Sequence, residues 1–466
     1  MQKIEGKKAT VKSVERSEYK QAPPVPFDLT TLQTEAYRCF KSNPKETLDI
    51  AQNLYTDGLI SYPRTSSQQL PEAIGFKKIM QDIGKQEEYS FHTKMLLKTK
   101  LVPNNGKKTD PAHPAIYPTG VSPKKLDGRK AKVYDLIVRR FLATFGEPAI
   151  RETMTIKLDV NSETFIAKGS RTKFPGWHEL YKYVSLKDET LPDVKEGETV
   201  KVKDIIMHDK ETQPPKRYTQ ASIVRELESR NLGTKSTRAT VVQTLYDRHY
   251  VMNDPIQATD LGISTSDILE KYIPEIVDEE LTRNFEIDME QIQEGKKEPE
   301  QVFVKAKEVL TKVLERFKKK EKSVGEELQK ATKETRAEMT ELGKCNKCAE
   351  GKLVLRKGRF GLFVACNKYP ECKNTFALPS NALIKPSKEA CPQCGMPTVL
   401  VIRKAKQPQE VCISPACPTK KIDHSKFTEK QCPRCKQGTV KIRPGFFGEF
   451  AACDTYPKCR YTEKVE

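Results

Sequence analysis

Apolar positions change their spacing several times along the chain, and each change marks a segment. Residues 9–14 alternate and predict a short strand, followed by the Pro-rich stretch QAPPVP. Leu32, Ala36, Tyr37 and Phe40 then recur at helical spacing behind Thr30 or Thr31 as the expected cap. A second helix is predicted over 44–57, with Leu48, Ala51, Leu54 and Tyr55 on one face, and a third over 131–145, AKVYDLIVRRFLATF. From 149 the period falls to two. AIRETMTIKLDV, ETFIAKGS and ETVKVKDIIMHD read as half-buried strands, and the prolines at 214 and 215 close that region. Residues 216–290 return to helix, with a helix–turn–helix look in which Gly233 is a C-cap and Thr237 opens the next helix. Residues 299–342 predict a long charged helix. Phe303, Leu310, Val313, Leu314 and Phe317 mark its first half, and its nearly all-polar second half reads as a solvated connector.

The hydrophobic fraction of 36% in 466 residues is enough for several cores rather than one. No apolar run reaches the length of a transmembrane helix, and the charged N-terminus lacks the apolar stretch of a secretory signal. The net charge is +19 and unevenly spread: residues 341–466 hold 24 Lys+Arg against 11 Asp+Glu. Such a surface attracts polyanions, of which a phosphate backbone is the commonest in a cell, although charge alone serves a solubilising surface equally well.

Twelve of the thirteen cysteines fall in the same 126 residues and repeat one spacing. The sets are Cys345, Cys348, Cys366 and Cys372; Cys391, Cys394, Cys412 and Cys417; and Cys432, Cys435, Cys453 and Cys459. Each opens with two residues between its first pair and seventeen before its second; the closing gaps are five, four and five. Three such units predict three structural Zn²⁺ sites, each tetrahedral and closed, with disulfides or redox pairs as the competing reading. Modules this small need the metal to fold. Phe360, Phe363, Phe446, Phe447 and Phe450 lie among Arg and Lys, which suits stacking of unpaired bases. The plainer alternative makes about half of them the ribbons' own small cores. The second module lacks this aromatic segment and reads as a spacer.

The segment YTDGLISYPRTSSQQLP (55–71) carries the most specific chemistry. It resembles the active-site segment of type IA DNA topoisomerases, in an archaeal wording. PAHPAIYPTG (111–120), KRYTQASIVRELESRNLGTKSTRATVVQTLYDRHYV (216–251), ATDLG (258–262) and FEIDMEQIQEG (285–295) continue the resemblance in one collinear order. Through it Tyr62 is expected to be the nucleophile, Arg64 its guanidinium partner and His113 a contact to the scissile phosphate. The resemblance implies ATP-independent breakage, passage and rejoining of single strands through a 5′-phosphotyrosine, relaxing negative supercoils. A phenol titrates at about 10 and needs help to ionise, which a nearby guanidinium gives while clamping phosphate oxygens. Pro63 disfavours a regular helix across the site. In GTKSTRAT, the residues Lys235, Ser236, Thr237 and Arg238 combine hydroxyls, a helix start and charge, and are expected to grip phosphate. A plain helix cap with a solvated cationic face is the alternative.

The expected fold class is multidomain α+β: a type IA topoisomerase arch followed by three C4 zinc ribbons. The expected domains are 1–26, an N-terminal strand and linker of the β arch; 27–147, a helical domain carrying the tyrosine; 148–215, the β arch; 216–300, a helical strand-binding domain; 301–342, a charged linker; and ribbons at 343–380, 388–422 and 429–466. The family's full-length members also carry a Toprim domain whose glutamate and DxDxE-type cluster bind Mg²⁺; neither motif is found here, and Glu286, Asp288 and Glu290 read as helical surface. Mg²⁺ is therefore expected for the intact enzyme, with its ligands supplied by a separate Toprim-containing polypeptide or an upstream reading frame. The alternative is a non-catalytic single-strand-binding half of a split or truncated enzyme. Expected partners are single-stranded and negatively supercoiled DNA, with no membrane; a cytoplasmic, nucleoid-associated monomer is expected.

Overall fold

In the computed structural model, residue 4 and residues 6–126, 128–348, 350–359, 361–403, 407–421 and 427–463 are described. They divide into two compact units, Met1–Lys320 and Glu321–Glu466. Among the described residues no helix is long and apolar enough to cross a membrane.

The first unit combines a sheet with a helical body. Strand Ala9–Gln21 pairs antiparallel with Ala149–Val160, from Thr10 opposite Asp159 to Gln21 opposite Ala149, and so runs well past the expected 9–14. Ala149–Val160 pairs in turn with Glu163–Phe174. Asn161 and Ser162 make that two-residue turn with φ of 53° and 69°, the positive values that suit a twisted hairpin. The strand expected over 198–209 forms only at Thr199–Val200, beside Ala9 and Thr10. Met207 is 69% exposed, so alternation here is not matched by a buried face.

The helices Leu29–Phe40, Pro44–Thr56, Phe76–Ile83, Glu87–Leu96 and Gly128–Ala143 enclose the main core, in which Leu32, Leu54, Met80, Leu136, Phe141 and Trp177 are buried. The first of these starts at Leu29, because Asp28 rather than Thr30 or Thr31 is its cap. Asp28 Oδ1 accepts from the Thr31 amide at 2.7 Å, and the Thr31 hydroxyl accepts from the Asp28 amide at 3.1 Å. Helices Gln220–Ser229 and Arg238–Asp247 form the helix–turn–helix, with Gly233 at φ +64° in the turn and Thr237 at the N-cap of the second. The unit division falls within the helix Pro299–Thr340. Of its expected apolar face Val313 is buried, whereas Phe303, Leu310 and Leu314 are exposed.

The second unit holds three antiparallel sheets in chain order. The first contains Glu341–Lys344, Lys352–Gly358, Gly361–Cys366 and Thr375–Ala377; the second Leu383–Ala390, Pro397–Ile402 and Gln409–Cys412; the third Lys430–Gln431, Thr439–Arg443, Phe450–Cys453 and Thr462–Glu463.

Candidate active site and metal centres

Tyr62 lies where two loops run side by side. The helix Pro44–Thr56 ends in a turn through Gly58, whose φ of +72° disfavours residues with a Cβ, and the Leu59 amide donates back to Leu54 O. The chain then runs along the 106–118 loop. The Ser61 amide donates to Tyr117 O (2.9 Å), Ala115 N to Gln69 O (2.9 Å), Gln68 N to Lys108 O (2.9 Å), and the Thr65 hydroxyl to His113 O (3.2 Å). Ser61 Oγ accepts from the Tyr117 amide at 3.0 Å. Pro63 leaves no amide at that point of the pairing.

This pairing carries Tyr62 to His113. Their ring centroids are 4.6 Å apart at 50°, and Tyr55 also packs edge-on against Tyr62 at 5.2 Å. Arg64, half-buried two residues on, has a buried Nε without a hydrogen-bond partner. A guanidinium N–H desolvated in this way is costly unless an acceptor arrives, and a phosphate oxygen is such an acceptor.

The GTKSTRAT residues are arranged differently from a row of free cations. Lys235 forms an ion pair with Asp110 of the His113 loop. Arg238 Nε donates to Leu232 O at 3.1 Å, and burial pushes its guanidinium pKa down. The Thr237 hydroxyl accepts from the Thr234 amide at 2.9 Å instead of capping its own helix. Ser236 is half-buried in the same turn. Asp110 and Tyr55 escaped the sequence reading as site residues. Asp110 directly precedes PAHPAIYPTG, which was the only signal for it.

Each cysteine set converges. Sγ atoms within a set all lie within 4.8 Å of one another. The closest pairs are Cys348–Cys366 and Cys394–Cys412 at 3.5 Å, and Cys435–Cys453 at 3.6 Å. A disulfide would bring sulfurs to about 2.05 Å, whereas four sulfurs at about 2.3 Å from one Zn²⁺ are about 3.8 Å apart. The donor sets therefore fit structural zinc and leave no open position. Amides support the sulfurs: Lys347 N donates to Cys345 Sγ and Gly438 N to Cys435 Sγ, both at 3.4 Å. The amides of Gln437 and Gly438 push the Cys435 thiol down to about 6. A Cβ on Gly351 would lie 2.4 Å from Cys366 Sγ and 2.6 Å from Cys348 Sγ, so only glycine fits the knuckle.

The aromatic segments of the ribbons divide. Phe360 lies outside the described residues. Phe363 and Phe450 are half-buried in their own sheets. Phe446 and Phe447 reach the second ribbon, where Lys420 Nζ sits 4.7 Å from the Phe446 ring centre and Arg403 4.2 Å from that of Phe447. The Glu449 amide donates to Lys420 O at 2.8 Å. The second ribbon, expected as a spacer, thus seats the tip of the third.

Comparison with known proteins agrees with this architecture. Residues 1–304 match the family model described as DNA topoisomerase, and residues 342–381 and 429–466 match the one described as topoisomerase DNA binding C4 zinc finger. The chain belongs to the type IA DNA topoisomerase family. It is 41% identical to DNA topoisomerase 1 of Methanothermobacter thermautotrophicus across 100% of this chain and 63% of the relative. It is 42% identical to that of Methanocaldococcus jannaschii, over 98% of this chain and 60% of the relative. The chain thus spans about three-fifths of the length of these relatives. The structure of full-length topoisomerase I from Thermotoga maritima shares the fold, with a TM-score of 0.55 at 24% identity, covering 82% of this chain and 62% of that one.

Proposed function

We propose that this chain carries the strand-breaking tyrosine and much of the DNA grip of a topoisomerase that breaks, passes and rejoins single strands. The Tyr62 oxygen attacks a phosphodiester phosphorus. A phosphotyrosyl O–P bond forms to the 5′-phosphate end created by the break while the bond from phosphorus to the 3′-oxygen breaks. The phenolic proton leaves Tyr62, and the 3′-oxygen departs with a proton. Attack by that 3′-hydroxyl reverses both changes, so no ATP is consumed. Arg64 stabilises the phosphate oxygens, and His113, against the Tyr62 ring, contacts the phosphate or moves the proton. The loop of Lys235, Ser236, Thr237 and Arg238 contacts the strand's backbone, and the ribbons extend the basic surface. Negatively supercoiled DNA, with its melted segments, is the substrate.

The observation that carries this reading is the Tyr62–His113 contact, with Arg64, two residues on in the same segment, holding a buried Nε that has no partner. Among the described residues the metal-ligating clusters are the three cysteine sets. Asp288, in FEIDME, is taken by Lys297 at 2.5 Å and Lys305 at 2.8 Å. The described residues therefore do not fit Mg²⁺. We accordingly propose that efficient cleavage needs a Toprim-type portion in addition to this chain. Supercoil relaxation by the chain alone, and by the chain with the segment of the Methanothermobacter relative that it does not match, tests this. Relaxation only in the mixture, lost in Tyr62→Phe, supports it; relaxation by the chain alone refutes the need for that portion, and relaxation by Tyr62→Phe refutes the role of the tyrosine.

A further inference from the structure

Asp110 sits in a loop, yet its side chain has 0% exposure. Burying a carboxylate is costly unless it is paired and hydrogen-bonded, and here it is both. Oδ2 accepts from the Ser66 amide at 3.1 Å and the Ser66 hydroxyl at 3.0 Å, and takes the Lys235 ammonium. Oδ1 accepts from the Ala112 amide at 3.1 Å and the His113 amide at 3.3 Å. Those five donors saturate a group with about four lone-pair sites.

The donors come from three places that must act together. Ser66 is four residues beyond Tyr62 and two beyond Arg64. His113 is the ring against Tyr62. Lys235 begins the loop proposed above to contact the strand. We propose that Asp110 is the positioning residue of strand cleavage: its one carboxylate holds the Tyr62–Arg64 segment, the His113 backbone and the Lys235 loop in mutual register. An amide cannot replace it, because Asn offers one acceptor oxygen and turns two N–H bonds toward donors.

This inference rests on the function proposed above, and the test separates the two. The full chain, mixed with the unmatched segment of the Methanothermobacter relative, is given saturating 3′-labelled single-stranded DNA, and the rate constant of covalent adduct formation is measured alongside Kd. Asp110→Asn is expected to lower that rate constant by about 10- to 100-fold, because small misplacements of reacting groups are costly, while Kd changes less than about threefold because phosphate contacts dominate it. Ser66→Ala, a milder change that keeps the carboxylate, is expected to lower it about threefold through the same misplacement. Loss of folded protein alone would reduce the amount of adduct and leave the rate constant of the folded fraction unchanged. Wild-type rate constants in both variants overturn the role of Asp110 and leave the function standing. Absence of a Tyr62 adduct in the wild-type mixture overturns the function, and the role of Asp110 falls with it.

Discussion

The imidazole of His113 lies against the phenol of Tyr62 with ring centroids 4.6 Å apart, although 51 positions separate them in the chain. The contact exists because the two loops are laced together by backbone hydrogen bonds from Ser61 to Gln69. It places an imidazole, which can donate or accept a hydrogen bond, beside the proposed nucleophile.

Replacing His113 by Ala is therefore expected to slow adduct formation at saturating DNA by about 10²-fold, the usual weight of a proton-transfer group. Affinity for single-stranded DNA should change little. Single-turnover cleavage with a parallel binding titration checks this, and equal losses in rate and affinity would contradict it.

Asp110 also predicts a pH dependence of stability. Burial alone would raise its pKa, but the Lys235 ammonium and the Ser66 and Ala112 amides hold the carboxyl well below the usual carboxylate range. A folded-state pKa depressed in this way stabilises above the unfolded value of about 4 and ceases to do so as pH falls through the folded one. Asp110→Asn should thus be less stable than wild type at pH 7, by roughly 1–3 kcal/mol, with the gap closing below pH of about 4. Trp177, the single tryptophan, is buried in the first unit, so its emission follows that unit and not the ribbons. A gap that widens in acid would contradict the pairing.

The metal sites predict three zinc ions per chain. Gly351→Ala pushes a Cβ into Cys348 and Cys366 and should leave two. Chelation should unfold the ribbons, whose folding and zinc binding are linked, while Trp177 emission stays native. Zinc analysis by mass spectrometry together with fluorescence reads both. Three zinc ions retained in Gly351→Ala would count against the assignment of that knuckle.

Affinity for single strands should fall steeply with salt, with a log–log slope of about −0.7 for each phosphate contacted. Lys235→Gln should flatten the slope by about one such increment, because the proposed contact takes Lys235 from Asp110 to a phosphate. An unchanged slope would leave Lys235 as the partner of Asp110 alone.

What was legible in the sequence was what the chain encodes locally. The cysteine knuckles repeat over short spans, and Tyr62 with Arg64 lies in one continuous motif, so neither depended on knowing the fold. The helices expected near 32–40, 44–57 and 131–145 lie within a few residues of those bounds, whereas Phe76–Ile83 and Glu87–Leu96 had no individual signal, and the first cap is Asp28 rather than Thr30 or Thr31 because a carboxylate and Thr31 close the capping box together. Features set by distant partners were not legible. Residues 201–209 alternate but lack a neighbouring strand. The partners of Lys235 and Arg238, Asp110 and Leu232, lie outside GTKSTRAT and could not be read from it. The meeting of Phe446 and Phe447 with Lys420 and Arg403 of the preceding ribbon has no signal in GFFGEFAAC itself. In each case the deciding partner lies outside the local motif.

The most direct measurement is to digest the trapped protein–DNA complex with protease and nuclease and sequence the modified peptide by mass spectrometry. The account predicts a nucleotide linked through its 5′-phosphate to the tyrosine of the ISYPR peptide, at Tyr62, and no such peptide from Tyr62→Phe. A nucleotide on any other side chain, or an adduct that persists in Tyr62→Phe, would contradict it.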